Sequence, residues 1–140
     1  MIVVADTNTI VSGLLWHGAP RQILELARQE GLQLATCSEL LDELHDVLQR
    51  PKFIHRLNQA NVKVDDLVLG YTDLARVVTI TPILPHIIED PDDDIVLACA
   101  LAVHADMIIS GDQHLLKLQK YQTILIVSAN DFLEQFSLES

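Results

Sequence analysis

Positive charge is scarce in this chain of 140 residues: nine Lys and Arg stand against twenty Asp and Glu, for a formal net charge of −11. That scarcity argues against a protein that grips nucleic acid through a broad basic surface, because phosphate binding ordinarily draws on one. Long apolar runs are also missing. The longest, Ile95 to Val103, falls far short of the roughly 20 residues that span a bilayer. No basic segment precedes the apolar start MIVVADTN, so a signal peptide is not expected either. Cysteine is limited to Cys37 and Cys99, without CxxC spacing, which predicts two ordinary buried thiols in a reduced, cytoplasmic protein. The six histidines, His17, His45, His55, His86, His104 and His114, lack zinc spacing. Repeats, low-complexity stretches and linkers are absent, and a 49% hydrophobic content is enough for one domain over residues 1–140 with a single core.

What is present is an alternation of short β-prone runs with helical periodicity. Ile2 to Ala5 is β-branched and fully apolar, as a central parallel strand buried on both faces would be. Thr7, Asn8 and Thr9 read as turn and cap formers. Gly13, Gly18 and Pro20 mark a loop before a helix from about Arg21 to Glu30, closed by Gly31. Leu32 to Thr36 is the second predicted strand. Ser38 is the expected cap of a helix whose apolar residues Leu40, Leu41, Leu44, Val47 and Leu48 recur at helical spacing, and Pro51 ends it. Helices are expected over Lys52 to Gln59 and Asp65 to Val77, and a strand over Val77 to Ile80 that Pro82 and Pro85 weaken.

The stretch DPDDDIVLACALAVHADMIISGD, Asp90 to Asp112, then reads as a buried helix, a turn at His104 to Asp106 and a buried strand, Met107 to Ser110. A helix at His114 to Lys120, a strand at Ile124 to Val127 and a helix from Ser128 through Phe136 complete the chain. The pattern is that of an α/β protein, a three-layer α/β/α sandwich around a central, mostly parallel sheet.

In such a sheet each strand ends, and each following helix begins, at the carboxyl edge. Asp6 follows the first strand, Asp94 opens the buried helix and Asp112 follows the strand after it. Glu43 lies one turn into the helix after the second strand. At 100° per residue it flanks the stripe of Leu40, Leu44 and Val47, while Glu39, Asp42 and Asp46 turn toward solvent. Four carboxylates from distant positions therefore meet at one edge. Such groups repel one another and drive their pKa values up unless a positive charge sits among them. Hard divalent ions, Mg²⁺ or Mn²⁺, suit oxygen-rich clusters and can bridge a phosphate and activate water. Asp92 and Asp93 are most simply acids that favour the helix dipole.

Three of the nine cations, Arg50, Lys52 and Arg56, fall together in RPKFIHR. With Trp16 in the loop after the first strand, they are the candidate substrate contacts; a solvated helix end explains the charges equally well. A phosphoacceptor receiver would need an acid pair after the first strand and a Lys near the last, and neither is present. A calcium loop starting at Asp90 would put its glycine at Ile95 and its closing Glu at Leu101, which excludes it.

Asp6 to Asn8 (DTN), the SELLDEL helix with Glu43, DPDDDIVLACA with Asp94 and SGD ending at Asp112 resemble, in type, order and spacing, the motifs of PIN domains, and within them the VapC-like toxins of toxin–antitoxin pairs. The resemblance runs from Ile2 to about Phe132. It implies an Mg²⁺- or Mn²⁺-dependent endoribonuclease with Asp6, Glu43, Asp94 and Asp112 as catalytic and metal-binding acids. Asn8 and Ser110 would be the supporting polar residues. It also implies RNA as substrate, a cognate antitoxin protein as partner and a homodimer. A catalytically inactive PIN domain that binds RNA or protein is the rival. After Asp112 this chain has Gln113 and His114, where many relatives carry a further acid two residues on.

Overall fold

In the computed structural model, which describes residues 1–81 and 91–139, the elements follow one another as β1 (Ile2–Ala5), α1 (Thr7–Leu15), α2 (Ala19–Arg28), β2 (Gln33–Cys37), α3 (Ser38–Leu48), α4 (Pro51–Gln59), α5 (Val64–Leu74), β3 (Arg76–Val78), α6 (Pro91–Ala102), β4 (Met107–Ile109), α7 (Gln113–Leu118), β5 (Lys120–Tyr121), β6 (Ile124–Val127) and α8 (Ala129–Glu139). The strands form one sheet in the order β3-β2-β1-β4-β6-β5. All neighbours are parallel except β5 and β6.

Alternation along the strands builds the layers. Val3, Ala5, Leu34 and Ile109 face a core shared with α1, α2, α4, α5, most of α3 and Phe132 of α8. Val4, Ala35, Ile108 and Ile126 face the opposite core, filled by Val96, Leu97, Cys99 and Ala100 of α6 and Leu115 of α7. Helices on both faces of a mostly parallel sheet make the predicted α/β/α sandwich. Among the described residues no helix is long and apolar enough to cross a membrane.

Several local expectations are corrected. The residues read as a loop after the first strand form α1. Its cap is Asp6, whose Oδ1 accepts the Thr9 N–H at 2.9 Å. Gly13 is a contact point within that helix: a Cβ there would lie 2.8 Å from Leu24 Cδ1 and 3.0 Å from the Pro20 carbonyl oxygen, so the glycine lets α1 and α2 approach. Cys37, not Ser38, occupies the N-cap of α3, and the Ser38 hydroxyl donates to Glu39. The helix expected to run to Val77 stops at Leu74, because Arg76 to Val78 pair with Ala35 to Cys37 of β2. Lys120 leaves the helix expected over His114 to Lys120 for an antiparallel edge ribbon. Gln119 and Gln122, with φ of 59° and 54°, make its bends. The expected break at His104 is present, with φ of 52°. Pro82, Pro85 and Asp90 lie outside the described residues.

Three buried groups, one phenol and two thiols, are perturbed. Burial pushes the Tyr71 hydroxyl of α5 well above its ordinary range. Cys37 and Cys99, both fully buried and free, hydrogen-bond to each other; that contact holds the Cys37 thiol below its ordinary value and drives the Cys99 thiol up.

Candidate active site

β1 lies between β2 and β4, and the helices that follow β1 and β4 pack on opposite faces of the sheet; between two such strands open α/β sheets form a ligand crevice. A cavity of about 160 Å³ opens there, lined by Asp6, Thr7, Asn8, Glu43, Val47, Arg50, Asp93, Val96 and Asp112. The acids come from the end of β1, from α3, from the first turn of α6 and from the step between β4 and α7.

Each wall has a local cause. Asp6 is pinned twice: Oδ1 caps α1, and Oδ2 accepts the Ser110 hydroxyl at 2.5 Å. Ser110 is itself buried and accepts the Asp112 N–H at 3.0 Å. Asp112 Oδ1 accepts the His114 N–H at 2.7 Å, so this acid both lines the cavity and caps α7. Glu43 is half-buried beside Val47, while Glu39, Asp42 and Asp46 are exposed. The helix phase expected from the sequence is the one adopted.

The α6 acid in the lining is Asp93, one residue before Asp94. Both are buried, at 6% and 7% exposure, but Asp94 is not part of the cavity wall, and neither of its carboxylate oxygens has a hydrogen-bond partner among the described residues. Asp93, expected from the sequence to favour the helix dipole, lines the cavity as well, and Asp94, the acid expected at the metal, is buried in the same turn of α6. The sequence marks Thr7 only as a turn and cap former within the DTN motif. Thr7 lines the cavity, and its buried hydroxyl has no hydrogen-bond partner among the described residues. The only sequence signal was its place directly after Asp6.

Of the polar residues expected in support, Asn8 lines the cavity and also a neighbouring cleft of about 350 Å³ that Ser110, Ser12, Ser128 and Asn130 help form. Ser110 reaches the acids only through Asp6 and Asp112. Among the basic candidates, Arg50 lines the acid cavity. Lys52 and Arg56 lie further along α4, and Trp16 sits at the far end of α1.

The donor set of carboxylates, an amide and a free hydroxyl has the chemistry of a hard divalent ion site. The orphaned Thr7 hydroxyl gives the cavity an unused hydrogen-bonding atom that a bound ligand would satisfy. Among the described residues, no three His, Cys, Asp or Glu side chains already stand in a ligating arrangement. Asp6 and Asp112 cap helices, and an ionised carboxylate keeps further lone pairs beyond such bonds, so capping is compatible with ligation.

The model of the PIN domain matches residues 2–114 of this chain. No curated protein matches it. Among solved structures, VapBC2 from Rickettsia felis, bound to a DNA fragment from the promoter, is similar in fold. Its TM-score is 0.59 at 16% identity, with 90% of this chain and 97% of that one covered. The PIN domain of RRP44 from T. brucei is 18% identical with a TM-score of 0.49, covering 99% of this chain and 82% of that one. The matched span runs from the first strand past Asp112, and the chain belongs to the PIN-domain family.

Proposed function

We propose that the protein is an endoribonuclease that hydrolyses RNA phosphodiesters with Mg²⁺ or Mn²⁺, and that it is the toxin of a toxin–antitoxin pair. PIN domains are generally nucleases, and the observation that carries the reading is the single cavity lined by Asp6, Glu43, Asp93 and Asp112. A divalent ion held by these carboxylates supplies polarisation of a phosphoryl oxygen and a water of lowered pKa.

The chain's own residues do the rest. Ser110 holds Asp6 in one orientation, and the α7 backbone holds Asp112. Arg50 lines the same cavity as the acids, which puts its guanidinium within reach of a bound phosphate. The Thr7 hydroxyl can donate to a phosphoryl oxygen, and Asn8 borders the entrance.

The VapBC2 neighbour is a toxin–antitoxin complex, and a chain with a charge of −11 attracts a basic antitoxin segment into its acid cavity. Pairing of two copies belongs to the same reading. The test is cleavage of a mixed RNA pool with and without Mg²⁺ or Mn²⁺, beside Asp6→Asn, which keeps the α1 cap acceptor and removes the charge. Metal-dependent cleavage lost in the variant supports the reading; metal binding without cleavage by either protein favours a silent RNA- or protein-binding module.

A further inference from the structure

We infer that single-stranded RNA leaves the acid cavity along α4, with its phosphates on Arg50, Lys52 and Arg56 and a base stacked on Trp16. The inference rests on the nuclease reading and adds the path of the substrate to it.

The charge distribution sets the problem. On a surface that repels phosphate almost everywhere, the few cations decide where a strand can lie. Three of the nine Lys and Arg residues fall within positions 50 to 56. Arg50 is the N-cap of α4 and lines the acid cavity. At about 1.5 Å per residue, Arg56 lies roughly 9 Å further along the same helix. Its Nη2 donates to the Leu15 carbonyl at 3.1 Å, and its guanidinium lies 5.3 Å from the centroid of the Trp16 ring.

α1 gives a second measure of the same path. It starts at Asp6, in the cavity, and ends at Trp16, about 15 Å away at the same rise. Both helices therefore begin at the acids, and the contact of Arg56 with Leu15 and Trp16 joins them again at the far end. The row of cations between these two points has a length that a few nucleotides of extended strand can cover.

Aromatic and cationic groups alternate along that row. Lys52 Nζ is 4.9 Å from the ring centroid of buried Phe53, and Phe53 packs edge-on against Trp16 with 5.8 Å between centroids. Trp16 stays 41% exposed in spite of these contacts. The contacts with Phe53 and Arg56 leave this part of the indole open to solvent. An indole held by Phe53 on one side and by an anchored guanidinium on another is pre-organised, so stacking a base on it costs little ordering entropy. Cations that follow the backbone beside an aromatic platform are what single-strand binding uses.

The test is the affinity of a short labelled single-stranded RNA of mixed sequence for the whole chain in Mg²⁺, read by fluorescence anisotropy over a series of salt concentrations. An Asp6→Asn background prevents cleavage. Trp16→Ala is expected to weaken binding about tenfold, and Trp16→Phe to restore most of it. Lys52→Gln with Arg56→Gln is expected to flatten the slope of log affinity against log salt by about 1.4. Lys52 is exposed, so Lys52→Gln reads the path even if a Trp16 variant fails to fold.

Unchanged affinity and slope in folded variants overturn the path, including the case in which those variants instead lose a protein partner. Binding is read without cleavage. An active chain whose RNA affinity ignores these residues therefore refutes the path alone, and an inactive chain with the expected binding losses refutes the nuclease reading alone.

Discussion

Ser110 donates a 2.5 Å hydrogen bond to Asp6 Oδ2 across 104 positions of sequence, and with the same oxygen it accepts the N–H of Asp112. One buried hydroxyl thus ties the end of β1 to the end of β4 and sets the orientation of two cavity acids. Ser110→Ala leaves Asp6 Oδ2 without its donor, at a cost of about 1–3 kcal/mol. The expected result is a melting temperature several degrees lower. Because Asp6 also loses its fixed orientation, RNA cleavage should fall while RNA affinity holds. An unchanged melting curve would mean that the bond contributes nothing net.

Gly13→Ala tests the close approach of α1 and α2. In an exposed helix interior, alanine would be favoured by about 1 kcal/mol. Here the added methyl meets Leu24 Cδ1 at 2.8 Å and the Pro20 carbonyl at 3.0 Å, and overpacking of this kind costs about 1–3 kcal/mol. Net destabilisation in urea unfolding is the expected sign. Stabilisation would show that Leu24 swings aside freely.

This glycine also marks where sequence reading stopped. Continuous apolar runs located the central strands β1 and β4 and the buried α6, and the 3.6-residue period of α3 fixed the phase of Glu43, because burial on both faces or along one helix stripe leaves a trace in hydrophobicity. The segment Thr7 to Leu15 holds threonines, an asparagine and a glycine, which propensity assigns to turns. Tertiary packing and the Asp6 cap make it a helix. The two-residue β5 was illegible for another reason: so short an edge strand has no period of its own. Arg50 was visible as a cation, but its place among the acids depended on where α4 begins relative to α3.

Alkaline pH should unfold the protein through Tyr71. Desolvation raises its hydroxyl pKa in the folded state, above the value of about 10 in an unfolded chain. The neutral phenol's contribution is then fully present below pH ~10 and is lost as pH rises toward the folded-state pKa, since only the unfolded chain releases the proton. Melting temperatures should decline above pH ~10. Tyr71→Phe should decline less over the same range. Parallel declines would assign the loss to other groups.

Asp93 and Asp94 differ by one position and should differ in kind. Asp93 lines the cavity; Asp93→Asn is expected to abolish metal-dependent cleavage and the rise in melting temperature that Mg²⁺ produces, which corresponds to about 2.7 kcal/mol at a hundredfold excess over Kd. Asp94 keeps both oxygens buried and without hydrogen-bond partners among the described residues. A carboxylate in that setting bears a desolvation cost that a neutral amide largely avoids. Asp94→Asn should therefore melt a few degrees higher and keep its response to Mg²⁺. Thermal melts of the two variants with and without Mg²⁺ distinguish the roles. Loss of the Mg²⁺ response in Asp94→Asn alone would return the α6 ligand to Asp94, and would mean that the first turn of α6 rotates when the ion binds.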